Sequence, residues 1–447
     1  MLSAFANAFR TPDLRKKILF TLFIIAIFRL GSTIPTPNVS MEAVRACLDV
    51  VRTSSDDTTA GLYSMINLFS GGALLHLTIL ALGIMPYITA SIILQLLTVV
   101  IPRLEALKKE GAAGTAKITQ YTRYLTIVLA VLNSTAFVTL AYSGQLFQGC
   151  NEQLVYDTGV FPMIVMIMTM TAGTGVIMWM GELITDRGIG NGMSVMIFTQ
   201  VAAQFPASLW GIKEMHSAQP DSGWVVFIIV LLVGLAVMAG VIYVEQAQRR
   251  IPVQYAKRMV GRRLVGGTTT YIPIKVNQAG VIPVIFASSL LYLPVLYAKF
   301  QPTNADGTAN PVTAWITANL VSGDSWAYNL AYALLIIGFA YFYVSITFNP
   351  IEVSDNMKKY GGFIPGTRAG GPTARYLSYV LSRLTFPGSL YLAIVALIPT
   401  LAFIFLGTQS RFPFGGTSIL IIVGVGLDTV KQIQSQLQQR NYEGFLR

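Results

Sequence analysis

The stretch Gly83-Ile84-Met85-Pro86-Tyr87-Ile88-Thr89-Ala90-Ser91-Ile92-Ile93-Leu94 returns in altered form as Gly280-Val281-Ile282-Pro283-Val284-Ile285-Phe286-Ala287-Ser288-Ser289-Leu290-Leu291. Gly, Pro, Ile, Ala, Ser and Leu recur at the same six offsets. A second echo pairs Gly192-Met193-Ser194-Val195-Met196-Ile197 with Gly416-Thr417-Ser418-Ile419-Leu420-Ile421. Apolar helices share composition, so a single match carries little. Six identities that include a helix-interior proline carry more. The first pair falls in the second and seventh hydrophobic stretches, the second pair in the fifth and tenth. The chain therefore reads as two halves, 1–215 and 216–447, of five spans each. An odd number of spans per half makes the second half cross in the opposite sense, the inverted-repeat plan of many channels and transporters.

Composition agrees. Of 447 residues, 53% are hydrophobic and only 11% charged, with a mean hydropathy of +0.60; soluble domains carry about a quarter charged residues. Stretches such as Phe161–Met180 lack the polar face that a soluble amphipathic helix needs, and they reach the length a bilayer demands. Hydropathy gives ten spans, at 17–34, 73–101, 121–142, 159–181, 189–207, 224–244, 279–298, 326–348, 384–406 and 416–436. The expected fold is an all-α polytopic membrane protein. Its ten transmembrane helices form two inverted, pseudo-symmetric halves around a central pore.

Net charge is +11, and 25 of the 31 Lys and Arg residues lie in alternate connections, beginning with the N-terminal tail. That bias places both termini in the cytoplasm. Basic residues precede the first span, yet no small-residue cleavage site follows it, so it reads as a retained helix. Leu2, Phe5 and Phe9 recur at helical spacing, as in a segment lying on the inner leaflet. Cys47 and Cys150 both fall outside, where a disulfide is permitted. Nothing in the sequence brings them together, so two free thiols are expected. His76 and His216 are too far apart to suggest a metal site.

Gly190, Asn191, Gly192 and Gln200 in span five, with Gly415, Gly416 and Asp428 in span ten, suit helices walled by protein or facing a water-filled cavity. Close packing through small residues explains the glycines equally, but not the polar side chains. Between spans one and two, Met65-Ile66-Asn67-Leu68-Phe69-Ser70-Gly71-Gly72 is too apolar for an exposed loop. A movable stopper hinged at the glycines is one function for it, although composition alone favours a permanently packed segment.

The cytoplasmic segment 245–277 is the most basic, with Arg249, Arg250, Lys257, Arg258, Arg262 and Arg263 before the β-prone Thr268–Ile274. It reads as a projecting loop with hairpin character. Segment 349–375 adds Lys358, Lys359, Arg368 and Arg375 around the turn Gly361–Gly366. Such clusters suit docking to acidic protein or RNA. Topology setting accounts for the charge equally well, although shorter loops would serve for that. No nucleotide-binding loop, metal-binding motif or catalytic constellation is present, so no enzyme and no bound cofactor is expected. Ion-coupled carriers place carboxylates in mid-span; the shortage of such acids here disfavours an ion-coupled secondary transporter, the alternative reading.

Motifs along nearly the whole chain resemble the SecY family of protein-conducting channels. They include Phe69-Ser-Gly-Gly-Ala-Leu74, Ala81-Leu-Gly-Ile-Met-Pro-Tyr-Ile88, Arg187-Gly-Ile-Gly-Asn-Gly192, Gln248-Arg-Arg-Ile251, Tyr255-Ala-Lys-Arg258, Phe363-Ile-Pro-Gly366 and Phe414-Gly-Gly-Thr-Ser418. The resemblance implies an hourglass channel for unfolded polypeptide in the bacterial cytoplasmic membrane. It opens sideways to lipid between spans two/three and seven/eight. The family's constriction falls on Ile84, Ile88, Ile197, Val201, Ile285 and Ile421, its plug on about 62–73, and its polar lateral-gate positions on Gln95, Asn191 and Asn277. The basic loops resemble those that dock the ribosome and the motor ATPase SecA, with Arg368 at the key position. Ala369-Gly370-Gly371 follows it where Pro-Gly is common. SecE and SecG are the implied partners.

Overall fold

Helices begin where the sequence supplies their starts. The computed structural model describes residues 9, 11–53, 73, 76–144, 146, 150, 152–215, 222–255, 258–260, 263–265, 269–300, 311–316, 319–320, 325–406 and 416–443. The expected surface segment at 2–10, Phe9 apart, and the stopper Met65–Gly72 lie outside these residues, as do Lys257 and Arg262. Helix α1 (Pro12–Gly31) opens on a proline that needs no amide hydrogen there. A short helix, α2 (Met41–Thr53), follows. Then come α3 (Met85–Val100), α4 (Pro102–Lys109), α5 (Ala112–Tyr142), α6 (Val160–Arg187), α7 (Gly192–Met215) and α8 (Ser222–Gln246). After a β-segment the chain continues through α9 (Ile282–Phe300), α10 (Pro311–Ile316), α11 (Trp326–Thr347), α12 (Pro350–Lys359), α13 (Gly371–Leu406) and α14 (Gly416–Glu443).

Each of the ten expected spans contains one of these helices. Among the described residues six helices are long and apolar enough to cross a membrane, or seven if α3 and α4, bent by 100° at Ile101, count as one broken span. Ile101 precedes Pro102, whose ring disfavours helical backbone in the residue before it. The second expected span is shorter than hydropathy suggests. Residues 79–84 form turns, with Leu77 (φ 47°) and Gly83 (φ 58°) left-handed, and the helix starts only at Met85. Pro86 and Pro283 are therefore in the first turns of their helices rather than inside them. A run of apolar residues cannot distinguish a buried turn from a helix.

The chain folds into two units. One comprises Met1–Ile229, Phe403–Phe414 and Ile421–Arg447; the other comprises Val230–Ala402 and Gly415–Leu420. The first holds a core in which Ile24 and Phe28 of α1 meet Leu80, Ile84, Ile177, Met180, Ile184 and Met196. At one end of this unit, residues 34–40 are strapped on both sides. Thr36 N donates to Leu77 O (3.0 Å) and Ile79 N to Ile34 O (2.9 Å). On the other side Ser40 N donates to Leu154 O (2.9 Å), and Asn38 exchanges side-chain bonds with the backbone of Asp157 at 2.8 and 3.0 Å.

Cys47 and Cys150 close this cap as a disulfide, with Cα atoms 5.4 Å apart. The expectation of two free thiols is wrong. The pairing links residues 103 apart in sequence, and the strapping of residues 38–40, which lead into α2, against 154–157 brings them together.

In the second unit β1 (Gln248–Tyr255) pairs antiparallel with β4 (Thr269–Lys275), in register from Gln248 opposite Lys275 to Gln254 opposite Thr269. Two short strands, β2 (Arg258–Val260) and β3 (Arg263–Val265), form the hairpin tip. The hairpin expected at 245–277 is present. A fifth strand, β5 (Gly362–Phe363), joins the other edge of β1 and was not legible in the sequence.

Candidate functional site

The first repeat is a helix-starting device. Gly83 (φ 58°) and Gly280 (φ 63°) both take the left-handed backbone that glycine tolerates without penalty. Each then leads into a helix with proline at its second position. Matching hydrogen bonds follow: Tyr87 N and Ile88 N donate to Ile84 O at 3.1 Å, while Val284 N and Ile285 N donate to Val281 O at 3.1 and 3.3 Å. Ile88 and Ile285 thus occupy the same position in the first turn of α3 and of α9.

The second repeat is a close-approach device. A Cβ on Gly192 would lie 1.8 Å from Gly181 O, and one on Gly416 would lie 1.9 Å from Val395 O. Only glycine lets α7 start against α6 and α14 start against α13. Ile197 and Ile421 each stand five residues beyond that contact.

Of the six expected constriction residues, Ile84, Val201, Ile285 and Ile421 are buried, with 1%, 3%, 6% and 1% exposure. Ile88 and Ile197 are half-buried and pack on the core that contains Ile84 and Met196. None faces outward as Phe161, Ile164 and Met168 of α6 do. Ile285 belongs to the second unit and the other five to the first.

The polar positions have separate local surroundings. Gln95 is exposed. Asn191 Oδ1 accepts from Met193 N at 3.1 Å and Ser194 N at 3.5 Å, capping α7. Asn277 is buried, and its Nδ2 donates to Glu245 Oε1 at 2.5 Å and to Gly280 O at 3.3 Å. Gln200 is buried next to Val201, and its Nε2 has no hydrogen-bond partner among the described residues. The guanidinium of Arg123 meets both carboxylate oxygens of Glu182, at 2.8 and 2.9 Å, and joins the C-terminal part of α6 to α5.

The two basic segments, read separately in the sequence, form one platform. Through β5 the second segment adds an edge to the hairpin. Ile251, Val253 and Ile274 of the sheet share a core with Ala340, Val344, Met357, Leu377 and Leu381 of the helices and with Ile364 just after β5. Arg249, Arg250, Lys358, Lys359, Arg368 and Arg375 are exposed on it. The Arg250 guanidinium lies 4.8 Å from the centre of the Tyr271 ring, a cation–π contact that holds the side chain in place. Arg258 and Arg263 have strand backbone in β2 and β3.

The loop bearing Arg368 is pinned despite its unusual Ala-Gly-Gly. Ser354 Oγ donates to Gly370 O at 2.7 Å and Thr373 Oγ1 to Arg368 O at 2.8 Å. Gly366 and Gly370 supply left-handed turns.

Comparison with known proteins is consistent along the whole chain. A SecY family model matches residues 78–430. The protein translocase subunit SecY of Streptomyces scabiei is 64% identical, and that of Mycobacterium bovis 56%, each over the full length of both chains. A solved structure described as a protein conducting channel aligns with a TM-score of 0.61 at 18% identity, covering 94% of this chain and 91% of that one. Sec61 in the canine ribosome–channel complex from the endoplasmic reticulum aligns at 0.58 and 17%, with the same coverage. At such low identity these two show a shared fold. The paired glycine turns, the buried branched residues that follow them and the full-length relatives lead to one assignment: the chain belongs to the SecY family.

Proposed function

We propose that the chain is the channel subunit of a bacterial protein translocase. It passes unfolded polypeptide across the cytoplasmic membrane and releases hydrophobic helices sideways into lipid. The observation that carries this reading is that six branched apolar side chains, four of them at repeat-related positions, are buried or half-buried and none is exposed. A collar of such side chains holds water poorly and resists ions, yet yields around an extended chain. The segment at about 62–73 acts as plug, and Gln95, Asn191 and Asn277 as polar groups of the lateral gate. The platform carrying Arg249, Arg250, Arg368 and their neighbours docks the motor SecA or the ribosome, with SecE and SecG as companion subunits.

Both termini lie in the cytoplasm. Two observations support that orientation: the bias of basic residues, and the disulfide between 41–53 and 150, which belongs on the oxidising side. The acids Glu182 and Glu245 are tied to Arg123 and Asn277 near helix ends, which gives no support to an ion-coupled carrier.

The test is electrical. Ile88→Asn or Ile285→Asn places an amide in the collar and should raise ion leak across proteoliposomes several-fold while the protein stays assembled. Wild-type conductance in both variants would remove the collar from this account.

A further inference from the structure

A carboxylate closes the most apolar helix of the molecule. Glu245 sits at the cytoplasmic end of α8, with 8% exposure. Burying a charged group is unfavourable unless it is hydrogen-bonded, so its partners are informative. The β1/β4 ladder ends with Gln248 opposite Lys275, and Val276 N adds one more rung to Ala247 O at 3.0 Å. Side chains then take over from backbone. Asn277 Nδ2 donates to Glu245 Oε1 at 2.5 Å. The same amide reaches Gly280 O at 3.3 Å, in the left-handed turn from which α9 starts.

Helix α13 presses on this junction. A Cβ on Gly388 would lie 2.5 Å from Val276 O and 3.6 Å from the Asn277 Cα. Five residues beyond Gly280 stands Ile285. One end of the junction therefore continues into the basic hairpin, and the other into the helix that carries a collar residue.

We propose that Glu245 is a positioning residue: by holding Asn277 it fixes the Gly280 turn and makes the cytoplasmic hairpin and α9 move as one body. A pull on the hairpin then reaches Ile285 through two hydrogen bonds and a packed glycine, without slack in the connection. This rests on the channel reading above. Glu245 is buried beneath the platform, so docking itself does not depend on it.

The experiment uses the full chain with its companion subunits in proteoliposomes. Glu245→Leu removes the acceptor. Glu245→Gln keeps an oxygen that accepts from Asn277. The leucine variant should bind the motor ATPase within twofold of wild type but translocate about tenfold more slowly and leak ions several-fold more. The glutamine variant should recover most of both. Equal defects in the two variants, or wild-type behaviour of the leucine variant, would overturn the proposal.

If Glu245→Leu fails to assemble, hydrogen exchange in Glu245→Ser, a short polar side chain that does not reach Asn277, decides. Loss of the acceptor should speed exchange at the Val284 and Ile285 amides at least threefold and leave Val253 and Ile274 of the sheet unchanged. No change at Val284 and Ile285 would sink the coupling. Failure of wild-type vesicles to move polypeptide at all would count against the channel reading instead.

Discussion

Replacing Cys47 and Cys150 together by alanine, or reducing the bond between them, should destabilise the first unit. The disulfide closes a loop between residues 103 apart. In the chain-entropy account, a loop of about 100 residues corresponds to about 4.7 kcal/mol of stabilisation at 25 °C. That reference chain is too free for a membrane protein, whose helices persist in the bilayer after tertiary structure is lost. Counting only the residues outside helices leaves less than half of the loop, and the estimate falls to about 4 kcal/mol, because the dependence is logarithmic.

Cys47 is fully buried beside Val44 and Leu48, so alanine also loses a sulfur's packing, which reduction does not. The assay is equilibrium denaturation in detergent of oxidised wild type, reduced wild type and the double variant. Reduced and double-variant proteins should both fall by about 4 kcal/mol, the variant by slightly more. Equal stability of oxidised and reduced protein would refute the reasoning. It would mean that the hydrogen bonds of Asn38, Ser40 and Thr36 hold the cap without covalent help.

Reversal of charge on the platform should separate docking from folding. Arg368→Glu changes an exposed side chain on a loop pinned by Ser354 and Thr373, so stability should move by no more than about 0.5 kcal/mol. ATP-driven export should fall at least tenfold, and normal export would take Arg368 out of the docking surface. Gly192→Ala and Gly416→Ala should each destabilise by about 3 kcal/mol or more, because the new methyl meets a backbone carbonyl below 2 Å. Gly426→Ala, in open space on α14, is the control: chemical denaturation should show no loss, since alanine is the better helix former.

The membrane character of the chain, its ten helical stretches and its basic connecting loops were legible because hydropathy and charge bias are sums over many residues. Such sums tolerate local exceptions. The doubled Gly-x-x-Pro-x-Ile motif was legible as a repeat but misread as helix interior. Apolar residues look alike in a buried turn and a helix, and only the positive φ at Gly83 and Gly280 tells them apart. Glu245 escaped notice for a similar reason. A single acid at the end of an apolar helix reads as a boundary, and nothing in its neighbours points to Asn277.

What the sequence determined by itself was where the ten apolar helical stretches fall, where the basic residues cluster, and that two short motifs repeat. These follow from local composition and from periodicity. Tertiary structure alone decided that Cys47 meets Cys150, that two basic loops share one sheet through β5, and that Asn277 is held by Glu245. Each is a contact between residues far apart in the chain. Hydropathy carries no term for such pairs, since which partners meet depends on how whole helices pack.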